Sequence, residues 1–176
     1  TEHSPTQPLW RGSYVRCINA TDGTEIWKLL DWHGTYSGGS ISNGYFLSLN
    51  YYDNQIYCIG KGPSATTVTA SPKISVHGSS VMIKGTVTDQ SPSGRHNVAG
   101  SLDFTLKGTP AISDESMDAW MEYMFYQRPM PADAKGVEVT LDTIDPNGNF
   151  VHIGTVTSDI TGNYGYAFTP EVPGTY

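Results

Sequence analysis

The sequence predicts a mostly β protein with one inserted helix, and three observations lead there. Apolar and polar residues alternate in short runs, as where Val137, Val139 and Leu141 sit between Glu138, Thr140 and Asp142, the period-two pattern of half-buried strands. Turn formers punctuate those runs: Asp22-Gly23, Asn43-Gly44, Asp53-Asn54, Asn147-Gly148 and Gly162, residues that accept the positive φ of tight connections. A helical period occurs where Met117, Trp120, Met121, Met124 and Phe125 fall at i, i+3, i+4, i+7 and i+8.

At 176 residues the chain fits one domain or two small ones. It holds 11 Tyr, 19 Gly and 11 Pro, and only 15% of its residues are charged, which suits strands and turns better than helical bundles or disorder. Lys and Arg number 10 against 17 Asp and Glu, a net charge of −7. With no basic run, that balance argues against a nucleic-acid partner. No stretch approaches the ~18 apolar residues of a membrane-crossing helix, so no membrane-spanning segment is expected. No signal peptide is visible, and the abrupt ends at Thr1 and Tyr176 read as those of a processed or cut chain. Asn19-Ala20-Thr21 is the one N-glycosylation sequon. Together with the Ser/Thr/Tyr-rich composition it points to an extracellular, cell-surface protein.

Taken in order, residues 1–12 carry Pro5 and Pro8 without any period and read as an extended arm anchored by Trp10. Residues 13–65 form a first β region. A strand from Tyr14 leads through Asp22-Gly23 into a strand bearing Trp27. Ser40–Asn54 then gives a strand, an Asn-Gly turn and a longer apolar strand, and Gln55–Gly60 a last one. The Pro/Ser/Thr-rich run 63–72 reads as a seam with an edge strand at 66–70. Residues 66–176 form the second region. Ile74 and Val76 begin its core, Val81, Ile83 and Val87 continue it, and Gly85, in line with them, marks a bulge. Leu102, Phe104 and Leu106 predict a strand at 101–107. A helix is expected over about 113–127, with Asp114 and Glu115 favourable to its dipole and Pro129 and Pro131 ending it. Its Met/Trp stripe reads as core that covers an open end of the second region. Residues 136–176 read as a three-stranded meander that stops short of a final strand.

The first region resembles the PQQ-like (quinoprotein-like) β-propeller repeat, on the residues ATDGTEIW at 20–27 and SNGYFLSLNYYDNQIYCIG at 42–60. About one and a half blades are present, so the resemblance implies the end of a longer propeller or a single blade-type sheet, and it implies no bound quinone. The second region, with KGTVTD at 84–89 and GTVTSDITGNYGYAFTP at 154–170, resembles an immunoglobulin-like or carboxypeptidase-regulatory-like β-sandwich. Together the two halves look like a class of archaeal secreted or membrane-anchored surface proteins.

The chemistry-bearing residues do not assemble into a catalytic pattern. His3, His33, His77, His96 and His152 lie in no nucleophile motif. Cys17 and Cys58 have no neighbouring His with which to bind zinc. They occupy equivalent places in two blade-like units. In neighbouring blades they lie beyond the ~6 Å Cα separation of a disulfide; in one compact sheet a bond closing a ~40-residue loop stabilises by roughly 3–4 kcal/mol. Asp145, Asn147 and Asn149 alternate as calcium ligands do, but without a closing bidentate acid, so a hairpin turn is expected there. Glu138, Asp142 and Asp145 read as the solvated face of strands. No cofactor and no enzymatic activity are expected. The leading expectation is a structural protein that self-assembles into a homo-oligomer or polymer by strand addition at open edges. The alternative is an adhesion module that binds a glycan or a surface protein, with Trp10, Trp32, Tyr36, Tyr51 and Tyr52 as stacking residues.

Overall fold

The structure, a computed structural model, describes residues 13–32, 39–95, 107–126 and 128–176. It is mostly β, with several antiparallel sheets and one α-helix. The chain divides into two compact units, one drawn from Thr1–Gly62 and Asp114–Pro131, the other from Pro63–Ser113 and Ala132–Tyr176. The expected arm at 1–12 lies outside the described residues, as does the expected strand at 101–107 except for Lys107.

In the first unit, β1 (Tyr14–Ile18) and β2 (Glu25–Leu30) form a hairpin. The Asp22 carboxylate closes it by accepting the Thr24 N–H at 3.0 Å and the Thr24 hydroxyl at 2.7 Å. A second sheet runs in the order β3 (Ser40–Ser42), β4 (Tyr45–Asn50), β5 (Gln55–Ile59). Asn43 and Gly44 join β3 to β4 with φ of 51° and 80°, the left-handed turn whose twist matches that of paired strands.

A 3-10 turn at Asp114–Ser116 leads into α1 (Met117–Tyr126). Trp120 and Met121 are buried, Met117 and Met124 half-buried. Phe125 stays 37% exposed, yet meets the Tyr57 ring edge-on at 5.9 Å. The helix, expected within the second region, belongs to the first unit, where Trp120 and Met121 are the buried members of its stripe. Polar pairing accounts for the difference. Lys28 of β2 donates its N–H to Asp118 at 3.3 Å and meets the same carboxylate through its ammonium at 3.4 Å, while Tyr126 donates to the Leu30 carbonyl. Apolar periodicity alone names a buried face and not the sheet that buries it.

The second unit has two sheets. One runs in the order β11 (Asn163–Phe168), β7 (Val81–Asp89), β6 (Ser64–Ser71), with the short β8 (Thr109–Pro110) also on β7. The other is the hairpin of β9 (Glu138–Ile144) and β10 (Phe150–Thr157), whose register shifts between His152 and Gly154. Val87, Leu141 and Tyr164, one from each of β7, β9 and β11, form the buried centre, with Ile83, Val139 and Ile153 against it.

Three expectations are corrected here. The stretch 136–176 is no meander: β11 leaves β10 and pairs with β7 from Asn163↔Thr86 to Phe168↔Val81. Its buried Tyr164 thereby reaches the far side of the core. Ile74 and Val76 join no core, being 90% and 78% exposed, because the chain there turns at Gly78 before β7 begins. Gly85 is no bulge either, since it pairs in regular register with Val68 and Tyr164. Glycine is required for space: the Tyr164 hydroxyl donates to the Thr67 carbonyl at 2.7 Å, and a Cβ on Gly85 would collide with both groups.

Gly85→Ala is therefore expected to lower the unfolding free energy by about 1–3 kcal/mol, the usual cost of overpacking. Gly165→Ala, whose Cβ would meet nothing nearer than 3.8 Å, should change it by less than about 1 kcal/mol. Urea unfolding of both variants checks the contrast; equal effects would contradict this account.

Candidate functional site

Among the described residues the second unit is open between β6 and β9. β6 pairs only with β7, and β9 only with β10, so the outer edge of each has no strand partner among the described residues. A cleft of about 460 Å³ is lined by Ser64 and Thr66 of β6, Val139 and Thr140 of β9, and by Val87 and Val137. Val87 belongs to the buried core and Val137 and Val139 pack against it, so the floor of the cleft is the core itself. Unpaired edges present rows of unused backbone donors and acceptors. The expected edge strand at 66–70 is thus confirmed and extends to Ser64–Ser71, every residue of it exposed.

The first unit holds the densest polar chemistry. In β4 Ser48 and Asn50 are buried, while Tyr45, Leu47 and Leu49 are exposed. Leu49 pairs with Ile56, itself 74% exposed, and Leu47 with the exposed Cys58. The outer face of β4 and β5 is apolar, and the inner face sets the buried Ser48 and Asn50 among half-buried Phe46, Tyr57 and Ile59. Inside, Ser48 donates to the Asp31 carboxylate at 2.6 Å. Asn50, with no exposed surface, donates to the Leu30 carbonyl at 2.9 Å and to the Tyr126 hydroxyl at 3.2 Å. Its side-chain oxygen accepts the N–H groups of Trp32 at 3.3 Å and Tyr52 at 3.0 Å. Tyr57 donates to Asp53 at 2.6 Å.

Burial pushes the Tyr126 hydroxyl up to about 12. Burial, followed by the hydrogen bond to Asp53, raises Tyr57 further. Both stay protonated donors at neutral pH. Ser48 gives its proton to a carboxylate and not to an imidazole, so the cluster binds elements together and lacks the serine–histidine pair of a nucleophile. Of the described histidines, His77 meets the Glu171 carbonyl at 3.2 Å and His152 the Asp142 carboxylate at 3.0 Å, both exposed. His3, His33 and His96 lie outside the described residues.

The Asp145–Asn149 run is a turn whose acid is spent on its own backbone. Asp145 accepts the N–H groups of Asn147 and Asn149, each at 2.8 Å, and the Asn149 amide at 3.0 Å. Asp159 repeats the device with the Thr161 hydroxyl at 2.6 Å and the N–H groups of Thr161 at 2.8 Å and Asn163 at 2.9 Å. These bonds hold both carboxyls below the usual carboxylate range. Among the described residues no group of three or more His, Cys, Asp or Glu gathers to hold a metal.

Cys17 and Cys58 are both free thiols. They stand on β1 and β5, in separate sheets, and are not bonded to each other. Asn19 heads the β1–β2 turn, where its side chain accepts the Thr21 N–H at 2.9 Å and Ala20 and Thr21 are exposed. Trp32 and the exposed Tyr51 meet edge-on at 4.9 Å; Trp10 and Tyr36 lie outside the described residues. No helix among the described residues is long and apolar enough to cross a membrane. No family model, no curated protein and no solved structure matches the chain.

The buried Asp31, Ser48 and Asn50 and the half-buried Tyr57 and Tyr126 escaped the sequence reading. Their signal was present in β4, where Ser48 and Asn50 keep strict period with Leu47 and Leu49; period two marks two faces without saying which one is inside.

Asn50→Leu should cost about 2–4 kcal/mol, because it removes a fully buried side chain that bonds Leu30, Tyr126, Trp32 and Tyr52; thermal and urea unfolding measure it, and a loss below about 1 kcal/mol would remove Asn50 from its central role. The tyrosines give a pH test. Their folded pKa values lie above the ordinary ~10, so the unfolded chain loses these protons first and stability falls as pH rises from about 10 towards 12. Absorbance titration near 295 nm should show these two tyrosines, and Tyr164 which burial also raises, resisting ionisation until the chain unfolds. Reversible ionisation of every tyrosine near pH 10 would contradict it.

Proposed function

We propose that this chain is a non-catalytic structural protein of the cell exterior that works by self-assembly through β-strand addition. The observation that carries the reading is the open side of the second unit: a cleft of about 460 Å³ floored by core valines and flanked by the unpartnered edges of β6 and β9. An incoming strand gains backbone hydrogen bonds from the edge and buries side chains in the cleft, the two terms on which β-augmentation runs. The apolar outer face of the β3–β4–β5 sheet supports the same reading, since large exposed apolar patches mark interaction surfaces. An outside location draws support from the charge-poor, Ser/Thr/Tyr-rich composition and from a sequon at Asn19 in a hairpin turn with exposed neighbours. The resemblance to surface proteins built from propeller and sandwich halves agrees with it.

The second reading is a carbohydrate-binding module, favoured by the Trp32–Tyr51 pair with its exposed Tyr51 ring. Rings held at an angle with one face open suit stacking on a sugar.

Negative-stain electron microscopy and sedimentation velocity over a concentration series separate the two. Self-assembly predicts defined oligomers or filaments that grow with concentration. A compact monomer at every concentration would overturn it. In that case quenching of Trp32 fluorescence by oligosaccharides would favour the glycan-binding module.

A further inference from the structure

Resting on that assembly reading, we infer that β6 is the contact strand and that it pairs antiparallel with the β6 of a second copy about a two-fold axis. The edge is built without protection. Ser64-Ala65-Thr66-Thr67-Val68-Thr69-Ala70-Ser71 carries no charge and no proline; Pro63 and Pro72 stand just outside it. The strand runs in unbroken register with β7 from Ser64↔Asp89 to Ser71↔Met82, with no bulge to turn the edge away. Long, flat, uncharged edges lack the devices that ordinarily prevent pairing.

The occupant follows from charge and size. The chain carries a net charge of −7, so two copies repel over most of their surfaces. β6 is a stretch where they can meet without bringing like charges together. Its side chains are small or β-branched, with Val68 the largest and 65% exposed, so a second β6 meets no steric obstacle and supplies the Thr and Val that suit a pleated pairing.

The ladder also determines the register. In antiparallel pairing the backbone groups of alternate residues point to opposite sides. The Pro63 carbonyl points to β7, where it accepts the Gln90 N–H at 2.8 Å. The backbone groups of Ala65, Thr67, Thr69 and Ser71 therefore also point to β7, and those of Ser64, Thr66, Val68 and Ala70 point outward. A two-fold axis beside Thr67 sets Thr66 opposite Val68 and Ser64 opposite Ala70 of the other copy, so that every outward residue meets an outward partner. A shift of the axis to either side leaves one of them overhanging. The product is one continuous sheet running through both copies, and a two-fold contact of this kind closes at the dimer. Larger assemblies then use a different surface.

The test uses the full chain. Val68→Pro removes an N–H that points away from β7, a place where an edge strand tolerates proline. At concentrations where the parent chain is dimeric by sedimentation equilibrium, Val68→Pro should be monomeric with an unchanged circular dichroism spectrum. Val68→Lys, which adds an edge charge without touching the backbone, should give the same loss if proline disturbs the fold. In a chain carrying Cys17→Ser and Cys58→Ser, Thr67→Cys should cross-link into a covalent dimer on mild oxidation, because Cα atoms opposite each other at a non-hydrogen-bonded position lie ~4.5 Å apart. Thr69→Cys, off the axis, should not. If the parent chain assembles and both Val68 variants assemble equally well, β6 is not the contact and self-assembly stands on another edge. A parent chain that is monomeric at every concentration would remove both proposals.

Discussion

The first unit depends on one amide. Asn50 has no exposed surface and uses both ends of its side chain, donating to Leu30 and Tyr126 and accepting from Trp32 and Tyr52. Those partners lie at the end of β2, in the turn after β4 and on α1. A buried polar group is tolerated when it is fully bonded and costly when it is not, so the end of β2, the β4–β5 turn and the helix can each be in place only when the others are. The second unit applies the same rule with a serine. Ser158, 3% exposed, accepts the Val137 N–H at 3.0 Å, and its own N–H donates to the Val137 carbonyl at 2.9 Å. The bond ties the start of β9 to the end of β10 at the edge of the core.

Local features were legible in the residues. The Asp22-Gly23, Asn43-Gly44 and Asn147-Gly148 turns, the alternation of Tyr164, Tyr166 and Phe168, and the stripe from Met117 to Phe125 all follow from backbone sterics and periodicity, which act over a few residues. What was illegible is pairing at a distance. Nothing near Tyr164 tells it to leave β10 for β7, because an alternating strand is equally content beside either. The helix is a parallel case: its apolar stripe demands burial, and only Lys28 meeting Asp118 and Tyr126 meeting Leu30 select where. The residues suggest a sandwich that stops short of a final strand, but not the cleft between β6 and β9. Its lining residues depend on which strands become neighbours.

The sheet of β3, β4 and β5 inverts the ordinary economy of a β-sheet. Its most buried residues, Ser48 and Asn50, are polar and hold other elements, while Tyr45, Leu47, Leu49 and Ile56 lie outside. Hydrophobic burial thus does little to fasten this sheet to its own unit, and directional hydrogen bonds carry that task. Directional bonds give geometric definition at small net free energy, which suits a framework that keeps an apolar face available for something else.

The order in which the chain visits its two units has a consequence for synthesis. The polypeptide passes from the first unit to the second after Gly62, returns at Asp114 and leaves again after Pro131. A growing chain emerges from its N-terminus, so β1 to β5 must wait through the whole first half of the second unit before α1 arrives to pack on β2. The second unit waits in turn, since β6 and β7 are made long before β9 and β11. The first unit has all its residues once Pro131 is made, while the second still lacks β9, β10 and β11. The first unit can therefore close before the second, and a chain cut at any of the three crossings leaves at least one unit without part of itself.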